Sequence, residues 1–321
     1  MIEKKSLASL NIKQEDIGIR LDKILLKKFN SLSFVKIQKL IRVGFFKVNN
    51  RKVKSNYKLS VSDKIQYSNK LVNEKESKKD ISKIAIKYKR LVDEIKNNII
   101  FEDNFLLVIN KPYGIPVQGG SNVNFNIDLI LPLLSEDNVS LRLVHRIDKN
   151  TSGILLLAKS KKVAQNITML FKENKIKKKY FTLVEGELKK RKGEIILPIT
   201  KKKISNMEKM VVDLNSREIA ETRYKVIECK KGISFLEVSP KTGRKHQIRV
   251  HLQSINHPIL GDNKYKKVND HNKEVASHKM HLHAKEIQFI LNDNKYFFKA
   301  SLPNFFKETL KKLNIENKSY E

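Results

Sequence analysis

The sequence predicts an α+β fold with a mainly antiparallel sheet, organised in two domains. Strand signatures outnumber helical signatures and do not alternate regularly with them, which is typical of α+β proteins. A hairpin signature supports this class, because apolar runs at 99–101 and 105–109 flank the turn Glu102-Asp103-Asn104. The length of 321 residues exceeds one average domain and suits two.

The first predicted domain covers residues 1–67. Apolar residues at helical spacing predict helices over 20–29 and 34–43, with Ser33 as the N-cap of the second and Gly44 as its stop. A strand at 45–48 follows, then a turn at Asn49-Asn50 that accepts positive φ, then a return strand at 52–54.

Residues 68–98 are rich in Lys, Glu, Asn and Ser and contain neither Gly nor Pro. This texture fits either a linker or a solvated helix, and we favour the linker. The second predicted domain then runs over 99–321. Its expected helices lie at 162–173, 245–255 and 304–313, and its further strands lie at 141–147, 154–158, 180–186, 221–228, 234–238 and 287–291.

The segment 141–153 carries the densest chemistry. Period-two alternation in an extended strand places Arg142, Val144, Arg146 and Asp148 on one face, so that a carboxylate stands at a strand end beside guanidinium groups. The residues alone leave two interpretations open. Asp148 is either part of a site or a structural Asp that caps its own turn.

Charge indicates the kind of partner. Lys and Arg number 66 against 34 Asp and Glu, a formal net charge of +32, which favours a polyanion such as nucleic acid or an anionic membrane surface. Only 11 of these basic residues are Arg, and the abundance of Lys, Ile and Asn is typical of an AT-rich genome. Part of the excess therefore carries no function, and the rest favours nucleic acid.

Other features exclude several classes of protein. Cys229 is the only cysteine, which excludes a disulfide framework and a Cys-based zinc site. Residues 1–11 lack the apolar run of a signal peptide, and no run approaches a membrane span, so we expect a cytoplasmic protein without a membrane partner. We expect no metal either, since no carboxylate accompanies the histidines at ligand spacing: His145, His246, His251, His281 and His283.

Three motifs resemble one enzyme family. The run His145-Arg-Ile-Asp-Lys-Asn-Thr-Ser-Gly153 resembles the signature of the large-subunit (RluA-type) pseudouridine synthases, in which the catalytic Asp corresponds to Asp148. The family usually has Leu where this chain has Ile147, an apolar exchange of small cost. The resemblance favours the site over the turn cap.

The second motif, residues 179–186, places Tyr180 where the family's tyrosine stacks on the target base. The third, residues 242–251, places Arg249 where the family's arginine pairs with the catalytic Asp. Without the resemblance, Tyr180 would be an ordinary strand aromatic and Arg249 a surface charge. Leu282, in Leu282-His-Ala, corresponds to the family's leucine under the base; the alternative is a core leucine at the start of a strand. The resemblance also implies substrate contacts from Arg146, Arg244 and His246.

The remaining parts of the chain resemble the same enzymes. The loop at 110–120 resembles the one before the first motif, in a subgroup that tends to have His where this chain has Gln118. The N-terminal unit resembles an S4 RNA-binding domain, with Ser62-Asp63 in place of the usual Gly-Asp; the alternative is an oligomerisation module. Its expected phosphate contacts are Arg20, Lys36, Lys39, Arg42, Lys52 and Lys54.

The resemblance implies the pseudouridine synthase fold and an enzyme that isomerises uridines in 23S rRNA. It implies no cofactor and no protein partner, and we expect a monomer. Asp148 would act on the ribose of a flipped-out nucleotide, with Arg249 keeping it ionised and aimed. Two alternatives stay open, a synthase that acts on tRNA and a non-catalytic rRNA-binding or assembly factor.

Overall fold

The computed structural model describes residues 7–29, 32, 34–68, 78–119, 125–135, 139–204, 207–265 and 278–315. Contacts divide the chain into two compact units, Met1–Lys87 and Tyr88–Glu321. Each unit has its own hydrophobic core. The predicted N-cap, Ser33, lies outside the described residues.

The N-terminal unit packs two helices and a small antiparallel sheet around one core. Helix α1 spans Leu21–Lys28 and α2 spans Phe34–Val43, which confirms both predicted helices. The strands β1 (Leu7–Asn11), β2 (Lys47–Val48) and β3 (Lys64–Ser68) form a sheet in the order β1-β3-β2. The helices form because their apolar residues share one face and meet in a core that includes Leu21, Leu25, Ile37, Ile41, Phe46 and Ile65.

Positive φ angles mark the turns of this unit as predicted. Gly44 has φ 79° directly after α2, and the N–H of Phe45 returns to the carbonyl of Leu40 at 2.9 Å. Asn49 and Asn50 have φ 49° and 62°, a conformation that Asn tolerates better than most residues. The predicted turn after β2 is therefore confirmed.

The predicted return strand at 52–54 is wrong. Strand β2 pairs with β3 instead, with Val48 opposite Ile65. Strand β3 buries Ile65 and Tyr67 on one face, whereas 52–54 offers only the half-buried Val53. A strand with an apolar face gains more from pairing over a core, which explains the choice of partner.

The predicted linker is wrong over most of its described length. Helix α3 spans Lys78–Lys96 and contains a kink at Tyr88, where φ is −116° and ψ is 18°. The boundary between the two units falls at this kink. Val92 and Ile95 are buried at helical spacing, so a short apolar stripe was hidden in a Lys- and Glu-rich stretch.

The C-terminal unit is built on an 11-stranded sheet in the order β10-β9-β11-β12-β8-β13-β7-β5-β4, with β14 paired to β13 and β6 to β7. All pairs are antiparallel except β13 with β7. The strands are β4 (Ile99–Glu102), β5 (Leu106–Lys111), β6 (Arg142–Leu143), β7 (Ser152–Ala158), β8 (Lys177–Glu185), β9 (Lys192–Ile204), β10 (Met207–Val212), β11 (Ile219–Lys230), β12 (Ile233–Pro240), β13 (Leu282–Leu291) and β14 (Asn294–Lys299). The predicted α+β class is confirmed.

Besides the end of α3, the described residues of this unit form four helices: α4 (Ile127–Leu134), α5 (Lys161–Lys172), α6 (Gln247–Ser254) and α7 (Asn304–Lys312). Three of them match predicted helices, and α4 was not predicted. Helix α6 begins later than expected because His246 has φ 55° and caps it from the left-handed region. No helix in the described parts of the chain is long and apolar enough to cross a membrane.

The predicted strand at 141–147 is wrong beyond its start. Only Arg142 and Leu143 pair with β7, and the chain then leaves the sheet. Its buried residues recur every third position, at Leu141, Val144 and Ile147. The single face expected from alternation is therefore absent, since Val144 is buried while Arg142 and Arg146 are exposed. Beyond Leu143, a side chain replaces the backbone as the hydrogen-bond acceptor for β7. His145 Nε2 accepts a hydrogen bond from the Leu156 N–H at 2.9 Å.

Candidate active site

Asp148 lies at the start of a tight turn that leads into β7. Its carbonyl accepts a hydrogen bond from the Thr151 N–H at 3.0 Å. Gly153 follows with φ 106°, and a Cβ there would overlap the backbone of Ala284 on β13. Glycine is thus required where β7 meets β13 in parallel. This close approach fixes the turn and the position of Asp148.

The Asp148 carboxylate is paired with an arginine that is remote in sequence. Arg249, in the first turn of α6, donates from Nη1 to Asp148 Oδ2 at 3.0 Å. Its other two donors form a fork with Asp262, at 2.7 Å from Nε and 2.8 Å from Nη2. Burial opposes the charge of Arg249, but the ion pairs with Asp262 and then Asp148 raise its pKa. A permanently charged guanidinium is therefore held in one orientation against Asp148.

The loop that enters α6 is fixed by a buried glutamine. Gln247 accepts hydrogen bonds from Thr242 Oγ1 at 2.7 Å and from the Arg244 N–H at 2.9 Å. Its Nε2 donates to the Glu221 carbonyl and to Thr222 Oγ1. All four positions of the amide are therefore used, and the third motif is anchored to β11.

A pocket of about 610 Å³ opens over Asp148. It is lined by every residue that the sequence predicted for the catalytic and substrate-binding roles: Asp148, Tyr180, Arg249, Arg146, Arg244, His246 and Leu282. Its size lies within the range of small-molecule and nucleotide-sized sites. The fold thus brings together three motifs that are distant in sequence, since Asp148 and Arg249 are 101 residues apart.

Tyr180 and Leu282 supply apolar walls to this pocket. Tyr180 lies on β8 opposite Ala284 of β13, and Leu282, which begins β13, is buried. Burial, and then the charge of Asp148, raise the pKa of Tyr180. Its phenol is therefore neutral at physiological pH.

The two predicted substrate arginines lie at the exposed part of the pocket. Arg146 also lines a neighbouring cavity of about 210 Å³, beside Gln118 and Lys149. Arg244 is 42% exposed and lies 3.3 Å from Glu218, an ion pair that solvent weakens. Both guanidinium groups are thus accessible to an anionic ligand.

Several residues of the site were missed by sequence reasoning. Asp262 and Tyr265 follow no recognised motif, and their role depends on contacts with Arg249 and His246. Lys178 lines the pocket and donates to the Thr242 carbonyl at 3.1 Å, and burial lowers its pKa to about 8. In the sequence, only the position of Lys178 directly before the second motif could have indicated that it belongs to the site.

Lys111 was also missed, although it lies within the 110–120 loop noted in the sequence. Its side chain is fully buried, and its Nζ donates to the carbonyls of Pro112, Ile115 and Lys149 at 2.8, 2.8 and 3.2 Å. Burial lowers the pKa of Lys111 to about 7, an effect that the charge of Asp148 opposes. The lysine ties the 110–120 loop to the turn that carries Asp148.

Three of the histidines considered above as metal ligands each have a different hydrogen-bond partner. His251 Nδ1 lies 2.8 Å from Thr222 Oγ1, His281 Nε2 lies 2.9 Å from Thr309 Oγ1, and His283 Nδ1 lies 2.9 Å from Ser152 Oγ. Burial lowers the pKa of His283 to about 3 and that of His281 to about 4. Within the described ranges, no three His, Cys, Asp or Glu side chains are grouped to hold a metal ion.

The predicted phosphate contacts lie in the N-terminal unit. Lys36, Lys39 and Arg42 follow one another at a spacing of three on α2, where such residues are neighbours. Lys39, Arg42, Lys52 and Lys54 are exposed, and Lys36 is half-buried. Arg20 is already paired with the buried Asp22, at 2.6 Å from Nη2 and 3.1 Å from Nε.

Comparisons with known proteins agree on the family. A model of RNA pseudouridylate synthases matches residues 105–254, and a model of the S4 domain matches 19–65. The chain is 34% identical to the ribosomal large subunit pseudouridine synthase C of Buchnera aphidicola (subsp. Schizaphis graminum, strain Sg), over 96% of this chain and 98% of that protein. It is equally 34% identical to the protein of that name from Haemophilus influenzae, over 97% of each chain.

Solved structures show the same fold. The structure of human RNA pseudouridylate synthase domain containing 4 is 29% identical, with a TM-score of 0.63, and the match covers 72% of this chain and 98% of that one. Human RNA pseudouridylate synthase domain containing 1 gives a TM-score of 0.55 at 24% identity, over 65% of this chain and 85% of that one. The chain therefore belongs to the RNA pseudouridine synthase family and carries an N-terminal S4 domain.

Proposed function

We propose that this enzyme converts specific uridines of 23S rRNA to pseudouridine, with Asp148 as the catalytic carboxylate. Relatives that match nearly the whole chain act, by name, on the ribosomal large subunit. The observation that carries the catalytic proposal is the Asp148 carboxylate, 3.0 Å from Arg249 and exposed to a pocket of about 610 Å³. A ribosomal substrate also implies that the enzyme works in the cytoplasm.

The substrate and product have the same composition, so the reaction consumes no second substrate, and we propose that it uses no cofactor. The N1–C1′ bond of the uridine breaks, the uracil turns, and a C5–C1′ bond forms; a proton leaves C5 and N1 gains one. Asp148 would act at the ribose, either by attack on C1′ or by assisting the formation of a glycal. Both routes require an ionised carboxylate aimed at the sugar of a nucleotide that has left its stack.

Arg249 supports that carboxylate through a rigid contact. Because Asp262 occupies two of its donors, the guanidinium cannot turn away from Asp148 without breaking a buried fork. A lysine would offer a point charge without this geometry. The presence of Arg at this position, in a chain that otherwise prefers Lys, fits a need for the fork.

The remaining lining residues would hold the base and the strand. Tyr180 would stack on the uracil, a contact worth about 1–3 kcal/mol per base in single-strand binders. Its raised pKa disfavours a phenolate and hence a role as the base that takes the C5 proton. Leu282 would form the apolar floor, and Arg146, Arg244 and His246 would contact polar groups of the nucleotide.

The S4 domain would supply affinity for the RNA backbone. Its proposed phosphate contacts are the six basic residues Arg20, Lys36, Lys39, Arg42, Lys52 and Lys54. Five of them are exposed, although Arg20 is already paired with Asp22, and Lys36 is half-buried. Such contacts give binding that weakens as salt concentration rises. We propose a monomer, since the residues proposed for catalysis and substrate binding all line one pocket of a single chain.

Mapping of pseudouridines in cellular RNA tests this proposal. Cells with the enzyme, without it, and with the Asp148→Asn variant would be compared, with Asp293→Asn as a control in an exposed turn. We expect particular 23S rRNA sites to disappear without the enzyme and to return with Asp293→Asn but not with Asp148→Asn. Loss of pseudouridines in tRNA alone would mean that tRNA, and not 23S rRNA, is the substrate. Restoration of the 23S sites by Asp148→Asn would refute the catalytic role of Asp148.

A further inference from the structure

A chain of polar groups runs from the backbone of β10 to the Asp148 carboxylate. The Met210 N–H donates to the phenolic oxygen of Tyr265 at 3.3 Å. The same oxygen lies 2.8 Å from His246 Nδ1, and His246 Nε2 lies 3.7 Å from Asp148 Oδ2. Tyr265 belongs to none of the three motifs, whereas His246 lies in the third and Asp148 in the first. The order of donors and acceptors along it decides the state of His246.

The donor rules favour one arrangement. A backbone N–H can only donate, so the Tyr265 oxygen accepts from Met210. Among the described residues, the Tyr265 proton then has one acceptor within hydrogen-bond distance, His246 Nδ1. This leaves the imidazole hydrogen on Nε2, facing the carboxylate. The opposite tautomer would point a lone pair at the Asp148 carboxylate and leave the Tyr265 proton without a partner.

We infer that Tyr265 is a positioning residue, which fixes His246 as a neutral imidazole whose Nε2–H faces Asp148. The inference rests on the proposed role of Asp148. Tyr265 is buried and packs its ring 4.9 Å from the Arg249 guanidinium carbon, so its hydroxyl has little freedom to move.

Burial, together with the nearby cations, keeps His246 neutral. Burial, aided by Arg249, Lys264 and Lys245, lowers the pKa of His246 to about 4 against the opposing effect of Asp148. A charged imidazole would place a second cation beside Arg249 and reduce the reactivity of the carboxylate towards the ribose. A neutral donor orients the carboxylate without that added charge.

This arrangement distinguishes the two oxygens of Asp148. Oδ2 accepts from Arg249 and faces His246, whereas Oδ1 has no hydrogen bond to the described residues. Oδ1 is therefore the oxygen presented to the ribose. The 3.7 Å separation from His246 is too long for a hydrogen bond, and such catalytic contacts often tighten only when substrate binds.

Nitrogen NMR of the free protein, labelled with ¹⁵N-histidine, tests the tautomer directly. His246 is assigned from the signal lost in His246→Gln. We expect protonated Nε2 and unprotonated Nδ1 at neutral pH. In Tyr265→Phe, which keeps the ring, the Nδ1–H tautomer should gain population and the pKa of His246 should rise, because the donor to Nδ1 is gone.

The same variant is then assayed for reaction at saturating RNA. Tyr265→Phe should slow single-turnover catalysis by about three- to tenfold, the cost of one hydrogen bond, with unchanged affinity. The matched control is Tyr296→Phe, which loses a hydroxyl bond to Asp103 instead and should change neither readout.

Three results would overturn the inference: a wild-type His246 that is charged or protonated on Nδ1, an unchanged tautomer in Tyr265→Phe, or an unchanged rate with a shifted tautomer. The spectrum needs no RNA, so it stands even if the proposed substrate is wrong. If Tyr265→Phe does not fold, the tautomer of His246 in the wild-type protein still tests the inference.

Discussion

The two units of this protein use basic residues in opposite ways. In the N-terminal unit, Lys39, Arg42, Lys52 and Lys54 are exposed and carry charge into solvent. In the C-terminal unit, Arg249 is 9% exposed and lies between Asp148, at 20%, and Asp262, at 1%. Exposed charges attract a polyanion over a distance, whereas a buried fork fixes one atom to another. Net charge therefore indicates the partner, and only the buried exceptions indicate the chemistry.

Of the three changes that test this comparison, loss of the Arg249 fork should reduce catalysis the most. Arg249→Lys leaves a charge but cannot bind Asp262 and Asp148 together. Without the fork the Asp148 carboxylate loses its fixed orientation, and misplacement by about 1 Å can slow a reaction about 100-fold, so we expect a fall of about that size in single-turnover catalysis. Arg223→Lys is the matched control, because Arg223 is 55% exposed in its pair with Glu194. If both variants retained similar activity, the geometry of the fork would be irrelevant.

Gly153→Ala should destabilise the C-terminal unit next to the site. The added Cβ would meet the Ala284 backbone at a φ of 106°, so strands β7 and β13 must separate. We expect a loss of about 1–3 kcal/mol in the free energy of unfolding, measured by denaturant titration. Gly243→Ala, where a Cβ meets no atom within 4 Å, serves as the control. Equal stability of the two variants would contradict the packing argument.

Removal of exposed charge in the N-terminal unit should have the smallest effect on the reaction itself. A variant with Gln at Lys39, Arg42, Lys52 and Lys54 should bind RNA more weakly, and the log–log salt slope should fall by roughly 0.7–0.9 per lost contact. The control replaces four exposed lysines of the other unit, Lys295, Lys307, Lys311 and Lys312. An equal slope change in both would mean that the N-terminal unit has no special part in binding.

Local patterns predicted the elements whose apolar residues follow one period. Helix α2 was predicted to its residue limits because its apolar positions repeat at helical spacing. Strands β9 and β10 were not predicted, because they lack a clear alternation of apolar and polar residues. Lys and exposed apolar residues such as Ile196 and Ile204 lie on the same faces. The strand at 141–147 was overpredicted because its buried residues repeat every third position.

The site was predictable only where a motif carries it. Asp148, Tyr180 and Arg249 were named from their resemblance to the family, and the pocket contains all three. Asp262, Tyr265 and Lys111 were not, because their significance lies in contacts made across the fold. A single Asp or Tyr in a sequence carries no trace of the partner that gives it a role.

The most direct test of the account measures tritium released from RNA labelled at uracil C5, in single turnovers at saturating RNA. Asp148→Asn should bind RNA with unchanged affinity and release no tritium, whereas the four-residue Gln variant of the N-terminal unit should release it at nearly the wild-type rate. Substantial release by Asp148→Asn would contradict the account, because the chemistry would then lie elsewhere in the protein.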